Sequence, residues 1–210
     1  MNSATQYQVS AVEELPAKLM TYGKKDIIFQ PYSFGKNLYM IESGKIKLFK
    51  NSDDGRSTIL AVLGEGDFFS NIERFSLDDE GVFAQAIEPT NVRVLSQKQV
   101  DSLHVTHPAV LTELYLVLHR HMKERNMFLE RIMYVPVKER ILHLMSFLMK
   151  SFGESEGKLI KIHVPLTHQD IASFIGSTRE TVTSLTKELI TEGTLKKIDK
   201  HYHMLLEAGS

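Results

Sequence analysis

The chain has no cysteine. Disulfides, thiolate redox switching and a cysteine-ligated iron–sulfur cluster are therefore excluded. It has no apolar run near the length of a membrane span, and its opening residues, MNSATQYQVS, lack the basic-then-apolar pattern of a secretion signal. The expectation is a cytoplasmic protein with no membrane partner. A strong charge bias is missing too: 25 basic and 26 acidic side chains give a formal net charge of −1. Divided at Pro136, the chain carries 15 basic against 17 acidic residues before it and 10 against 9 after it. Any nucleic-acid contact must then use a local basic surface, and non-specific affinity should be modest. No nucleophile elbow, Walker loop or His-Glu-x-x-His pair is present, so nothing motivates an enzyme. No internal repeat or low-complexity tract appears either. What is there is a globular composition, 42% hydrophobic and 24% charged over 210 residues, enough for one large or two small domains.

The most informative stretch is 166–197, LTHQDIASFIGSTRETVTSLTKELITEGTLKK. Ile171, Ala172 and Ile175 fall at helical spacing. Gly176 suits the left-handed exit of that helix, and Ser177 or Thr178 can cap the next one. The second helix is expected to bury Val182, Leu185, Leu189 and Ile190 and to present Thr178, Arg179, Glu180, Thr183 and Ser184. A short helix, a glycine turn and a second helix with a polar tip form a helix-turn-helix, whose second helix enters the DNA major groove by its N-terminal end. Leu195–Ile198 and 202–206 read as a β-hairpin wing beside it. Local positive charge comes from Arg179, Lys187, Lys196, Lys197 and Lys200.

Upstream the pattern changes along the chain. Residues 9–20 could form an amphipathic helix through Val12, Leu15 and Leu19. From Asp26 to Ser96 come about seven or eight short strands broken by turn signals such as Glu42-Ser43-Gly44-Lys45 and Asp53-Asp54-Gly55. The expected strands include Ile27–Phe29, 38–41, 46–49, 58–63, 82–87 and 92–95. Regular short strands with glycine turns indicate a jelly roll or barrel. Pro108 opens a long helix reaching about Tyr134. Leu111, Tyr115, Leu118, Met122, Arg125, Leu129 and Ile132 alternate in steps of four and three, the seam of a two-stranded coiled coil. A helix packed on its own β-domain is the alternative. Pro136 breaks it; a helix over 137–152, a loop over 153–157 and a strand over 159–164 lead into the helix-turn-helix.

The residues Gln169-Asp170-Ile171-Ala172 and Gly176-Ser177-Thr178-Arg179-Glu180-Thr181-Val182 resemble the recognition region of the Crp/Fnr family of bacterial transcription regulators. Residues 39–47, YMIESGKIK, and 63–69, LGEGDFF, resemble its cyclic-nucleotide-binding β-roll. The resemblance implies an α+β chain in three parts: a jelly-roll-like β-roll sensor at 1–107, a dimerisation helix at 108–135 and a winged helix-turn-helix at 136–210. It implies a homodimer joined through Leu111, Tyr115, Leu118, Met122, Leu129 and Ile132, binding a two-fold site in double-stranded DNA, with RNA polymerase as second partner. Arg179, Glu180, Thr183 and Ser184 would face base edges. Thr167, Gln169, Ser177, Thr178, Thr181 and Lys187 would hold phosphates. Many members carry an arginine where this chain has Ser184. Members that bind cyclic AMP follow Gly-Asp-Phe with Gly-Glu-Leu and later have Arg-Ser. This chain has Ser70-Asn71-Ile72 and Asp79-Glu80-Gly81-Val82, with no arginine to hold the phosphate. Cyclic AMP is therefore not expected. An effector would meet Ser70, Asn71, Glu80, Arg125 and Asn126, the last two aligning with positions from which members reach their ligand.

Nine histidines raise the question of a metal. His119 and His121, two apart on a helix, point to different faces. His201 and His203 would share a face of the wing strand, as exposed groups near phosphates rather than a metal pair. One histidine suffices for haem, so haem or another small effector stays open and no cofactor is expected. The other function classes are a protein-interaction module built on the helix-turn-helix and a cupin-like β-roll enzyme.

Overall fold

The computed structural model describes residues 15–33, 36–72 and 81–205. The chain divides into two compact units, one ending at Lys123 and the other beginning at Glu124.

The first unit holds eight strands, β1 (Lys18–Tyr22), β2 (Ile27–Phe29), β3 (Asn37–Ser43), β4 (Ile46–Asn51), β5 (Ser57–Leu63), β6 (Phe68–Ser70), β7 (Val82–Ala86) and β8 (Thr90–Ser96). They form two four-stranded antiparallel sheets, ordered β1-β8-β3-β6 and β2-β7-β4-β5. Strand β3 shows why its sequence suits this place. Tyr39 and Ile41 join the core between the sheets, with Phe29, Ile46, Leu48, Phe69 and Val92. Leu38 and Met40, alternating with them, enter a second core with Phe68, Leu95, Val100, Leu103, Val110, Leu114 and Val117. A strand buried on both faces must be apolar at every position, as Leu38–Ile41 is. Gly44 closes the β3–β4 hairpin at φ +86°, and a Cβ there would lie 2.4 Å from the Pro89 carbonyl oxygen. Only glycine fits such a site.

Helices α1 (Gln97–Thr106) and α2 (Pro108–Ile132) follow. Val110, Leu114 and Val117 of α2 are buried against the β-roll of their own chain. The seam expected from the sequence lies one residue further round. Leu111 and Leu118 are half-buried at the edge of that core, while Tyr115, Met122 and Leu129 are exposed at 55%, 56% and 43%. The helix is thus apolar on two adjoining stripes: one is buried against the β-roll, and the other carries the exposed Tyr115, Met122 and Leu129.

The second unit contains α3 (Val137–Phe152), β9 (Gly153–Glu156), β10 (Leu159–Ile162), α4 (His168–Ile175), α5 (Arg179–Thr191), β11 (Leu195–Ile198) and β12 (His201–Leu205). The sheet order is β11-β12-β10-β9. Ile141, Leu144, Met145 and Leu148 of α3 are buried, as are Ile162, Ile171, Val182, Leu189, Leu195 and Tyr202. Phe128, near the end of α2, sits 5.4 Å from the rings of both Phe147 and Phe174.

Several expectations are corrected. The helix expected over 9–20 is contradicted at its end, because Lys18–Tyr22 is strand β1, paired with β8 from Lys18↔Val94 to Tyr22↔Thr90; residues 9–14 lie outside the described residues. The loop expected over 153–157 is mostly strand β9, whose backbone pairs with β10 despite its polar side chains. In α5, Thr186 is buried in place of Ile190, which is 37% exposed. On the wing, His203 is 2% exposed rather than open to phosphates, with Nε2 3.4 Å from a Glu156 carboxylate oxygen.

Candidate nucleic-acid interface

Local chemistry fixes both helices of the 166–191 stretch. Thr167 caps α4: its hydroxyl oxygen accepts from the Asp170 amide at 3.1 Å, while Asp170 accepts from the Thr167 amide at 3.0 Å. This reciprocal box satisfies two donors that a helix start leaves open. Gly176 ends α4 in the left-handed region at φ 66°. Arg140 of α3 donates to the Ile175 carbonyl at 3.4 Å and to the Val135 carbonyl at 2.9 Å, tying the turn to the helix beneath it. Thr178 then caps α5 by accepting from the Thr181 amide at 3.2 Å. Of the two caps considered, Thr178 is the one used.

Capping places Arg179 at the first position of α5 and Glu180 at the second. Both are exposed, as is Ser184; Thr183 is half-buried. Lys187 is exposed two turns along the same helix. Lys138 of α3 is held by two carboxylates of α5, at 2.5 Å from Glu188 and 2.7 Å from Glu192. Those acidic groups at the far end of α5 are thus engaged away from its N-terminal tip. The wing adds Lys197, whose ammonium lies 5.0 Å from the centre of the Tyr202 ring. Burial pushes the Tyr202 hydroxyl up to about 12, so it stays a neutral platform for that cation.

The phosphate-binding candidates divide. Thr167, Gln169, Thr178 and Lys187 are exposed, while Ser177 and Thr181 are half-buried. Gln169 donates to the Ser173 hydroxyl at 3.4 Å. Thr167 and Thr178 are already capping, so their remaining capacity toward a phosphate is a backbone or hydroxyl contact at a helix N-terminus. One residue of this surface was not singled out by sequence. His168, first in α4, has Nδ1 2.8 Å from the Thr183 hydroxyl. Burial first, then the charges of Lys197, Arg179 and Lys187, hold its imidazole below the ordinary histidine value.

The family matches fall on both units. The Crp-like helix-turn-helix domain matches residues 139–207, and the Cyclic nucleotide-binding domain matches residues 19–107. The chain belongs to the Crp/Fnr family. Among its relatives, the CRP-like cAMP-activated global transcriptional regulator of Mycobacterium tuberculosis is 25% identical over 89% of this chain and 84% of that protein. The Global nitrogen regulator of a Synechocystis is 28% identical over 90% of this chain and 84% of that protein. A double mutant of CooA from Carboxydothermus hydrogenoformans shares the fold, with a TM-score of 0.78 and 20% identity over 97% of this chain and 93% of that one. This Crp/Fnr chain is a DNA-binding transcription regulator, not an enzyme.

The effector candidates look different. Ser70 is 5% exposed; its hydroxyl donates to the Asn37 carbonyl at 2.9 Å and accepts from the Ile72 amide at 2.9 Å. The Asn71 side-chain oxygen accepts from the Asn37 amide at 2.7 Å. Both residues brace the β3–β6 edge of the roll. Arg125 and Asn126 belong to the second unit, half-buried and exposed respectively. Glu80 lies outside the described residues. Sequence reasoning also missed a buried cluster of the first unit. The Asp67 carboxylate pairs with Arg120 and accepts from His121 Nε2 at 3.0 Å and from the Gly64 amide at 2.9 Å. Among the described residues no group of three or more His, Asp or Glu side chains is arranged to hold a metal, and no helix is long and apolar enough to cross a membrane.

Proposed function

We propose that the protein is a cytoplasmic homodimer that binds a pseudo-palindromic operator and recruits RNA polymerase to it. The observation that carries DNA reading is the tip of α5. A Thr178 cap presents Arg179, Glu180 and Ser184 to solvent, with Lys187 and the wing lysine Lys197 alongside. An arginine in the first helical turn matches guanine O6 and N7 bidentately, and a glutamate accepts from cytosine N4. Threonine hydroxyls, Gln169 and Lys187 set register on the phosphates. Dimerisation is supported by the exposed apolar positions Tyr115, Met122 and Leu129, spaced seven residues apart on α2. A two-fold protein would place its half-sites about 34 Å apart, one turn of DNA.

Cyclic AMP is not the effector in this reading. Ser70 and Asn71, which stand where cyclic-AMP-binding members have their ribose-holding run, both hydrogen-bond the Asn37 backbone of their own chain. Electrophoretic mobility shifts on random-sequence and selected DNA across a salt series test the proposal. Binding whose affinity falls steeply with salt supports it, and an absence of binding at low salt favours a protein-interaction module instead. Calorimetry with cyclic AMP, expected to show no micromolar binding, tests the effector statement.

A further inference from the structure

His168 occupies an unusual place on this surface. It sits at the first position of α4, directly after the Thr167 cap, and its ring reaches across to α5. The tautomer follows from hydrogen counting. The Thr183 hydroxyl has one hydrogen, and it donates that hydrogen to the Arg179 carbonyl at 2.8 Å. With its hydrogen on that carbonyl, the hydroxyl accepts from the ring 2.8 Å away, and His168 Nδ1 is the protonated nitrogen in this arrangement. In the neutral ring Nε2 is then a bare acceptor, which no phosphate oxygen can approach favourably. Protonation turns Nε2 into a charged donor without disturbing the Thr183 bond.

Burial and the charged groups facing the ring both set which form is present. Lys197 of β11 and Arg179 and Lys187 of α5 all act on it as positive charges. On its own helix, Asp170 is bonded to Thr167 at 2.6 Å. In the free protein burial first, and then the three cations, disfavour a charged ring. Those same cations are the ones the proposed function assigns to DNA. When phosphates arrive, their negative charge offsets the share that the three cations contribute, and a protonated ring gains an anionic partner.

We infer that operator binding takes up a proton at His168, so that this side chain meets the phosphate backbone as an imidazolium bonded to Thr183 and DNA affinity falls as pH rises through neutrality. The inference rests on the DNA-binding reading above. By linkage, a group that gains a proton on binding makes affinity drop by up to about tenfold per pH unit for each protomer. Arginine at this position would be a permanent cation and would remove the dependence.

The test is fluorescence anisotropy with a selected operator between pH 6 and pH 8 at constant ionic strength. The proteins compared are wild type, H168Q, H168R and, as a control for the wing histidines, H201Q. Wild type and H201Q should weaken together as pH rises; H168Q should bind more weakly at pH 6 with a much flatter slope; H168R should bind tightly with a flat slope. A wild-type slope retained by H168Q overturns the inference. An NMR titration of the His168 ring gives an answer independent of any variant: its midpoint should move up on adding the operator duplex, and a midpoint that stays put or falls overturns the proposal. Sequence-selective binding by wild type at pH 6 bears on the functional reading alone, whereas the difference in slope bears only on the proton.

Discussion

Asp67 and His121 lie 54 residues apart in the chain and meet at 3.0 Å, carboxylate oxygen to ring Nε2. Because a carboxylate only accepts, the ring must carry its hydrogen on Nε2. Arg120, one residue earlier on α2, pairs with the same oxygen. The glycine turn Gly64-Glu65-Gly66-Asp67 is thereby fastened to the helix. Burial alone would raise the Asp67 carboxyl, but the His121 bond, the charges of His121 and Arg120 and the Gly64 amide together outweigh it and hold it below the usual carboxylate range.

Asp67→Asn should therefore destabilise the β-roll unit by about 3–5 kcal/mol, because the half-buried Arg120 guanidinium and the buried His121 ring both lose a charged partner. The pH dependence has a definite sign. Asp67 titrates lower in the folded chain than in the unfolded one, so its contribution is present above the unfolded value of about 3.9 and fades as pH falls through the folded value. Denaturant melts of wild type and Asp67→Asn should differ at pH 5 and converge as the pH falls further into acid.

The dimer prediction is sharpened by the structure. Leu118 is partly packed inside its own chain, so a charge there would disturb folding as well as association. Met122 is exposed at 56% on the same seam. Met122→Glu should leave the melting temperature of the β-roll nearly unchanged and give monomers in sedimentation velocity, since it would bury an unpaired charge between subunits. A folded dimer of Met122→Glu would remove α2 from the interface.

Lys187 is exposed two turns beyond Arg179 on α5, and the proposed reading gives it phosphates rather than bases. Lys187→Ala should weaken all DNA sequences alike and reduce the slope of log affinity against log salt by about 0.9 for each phosphate the lysine neutralises. Titrations between 50 and 200 mM salt, run on selected and on random duplexes, measure this.

The helix-turn-helix was legible because its determinants are local. Thr167 and Asp170 are three residues apart, Gly176 acts on its own backbone, and Thr178 caps three residues ahead. The hairpin turns were legible for the same reason. What escaped depends on distant partners. Leu15 and Leu19 fit a helical period, yet Leu19 is 52% exposed and its strand is held by the backbone of β8, more than seventy residues away. The Gly153–Glu156 run carries no apolar side chain, and its strand comes from backbone pairing with β10 alone. His121 resembled its neighbour His119 until the fold brought Asp67 to it. His168 was passed over for the same reason, since neither Thr183 nor the surrounding cations are adjacent to it in sequence.

The central claim is that α5 reads DNA through its first turn, and base selection tests it most directly. Wild type should select from random duplexes a pseudo-palindrome with a G·C pair for Arg179 and another for Glu180 in each half-site. Selection should be looser where Ser184 faces the groove, because serine can both donate and accept. Arg179→Ala should weaken binding by about 1–3 kcal/mol per half-site and show relaxed preference at one base pair in each, with the other positions kept. If Arg179→Ala selects the same sequence as wild type with the same strictness, α5 is not the reading helix and the account fails at its centre.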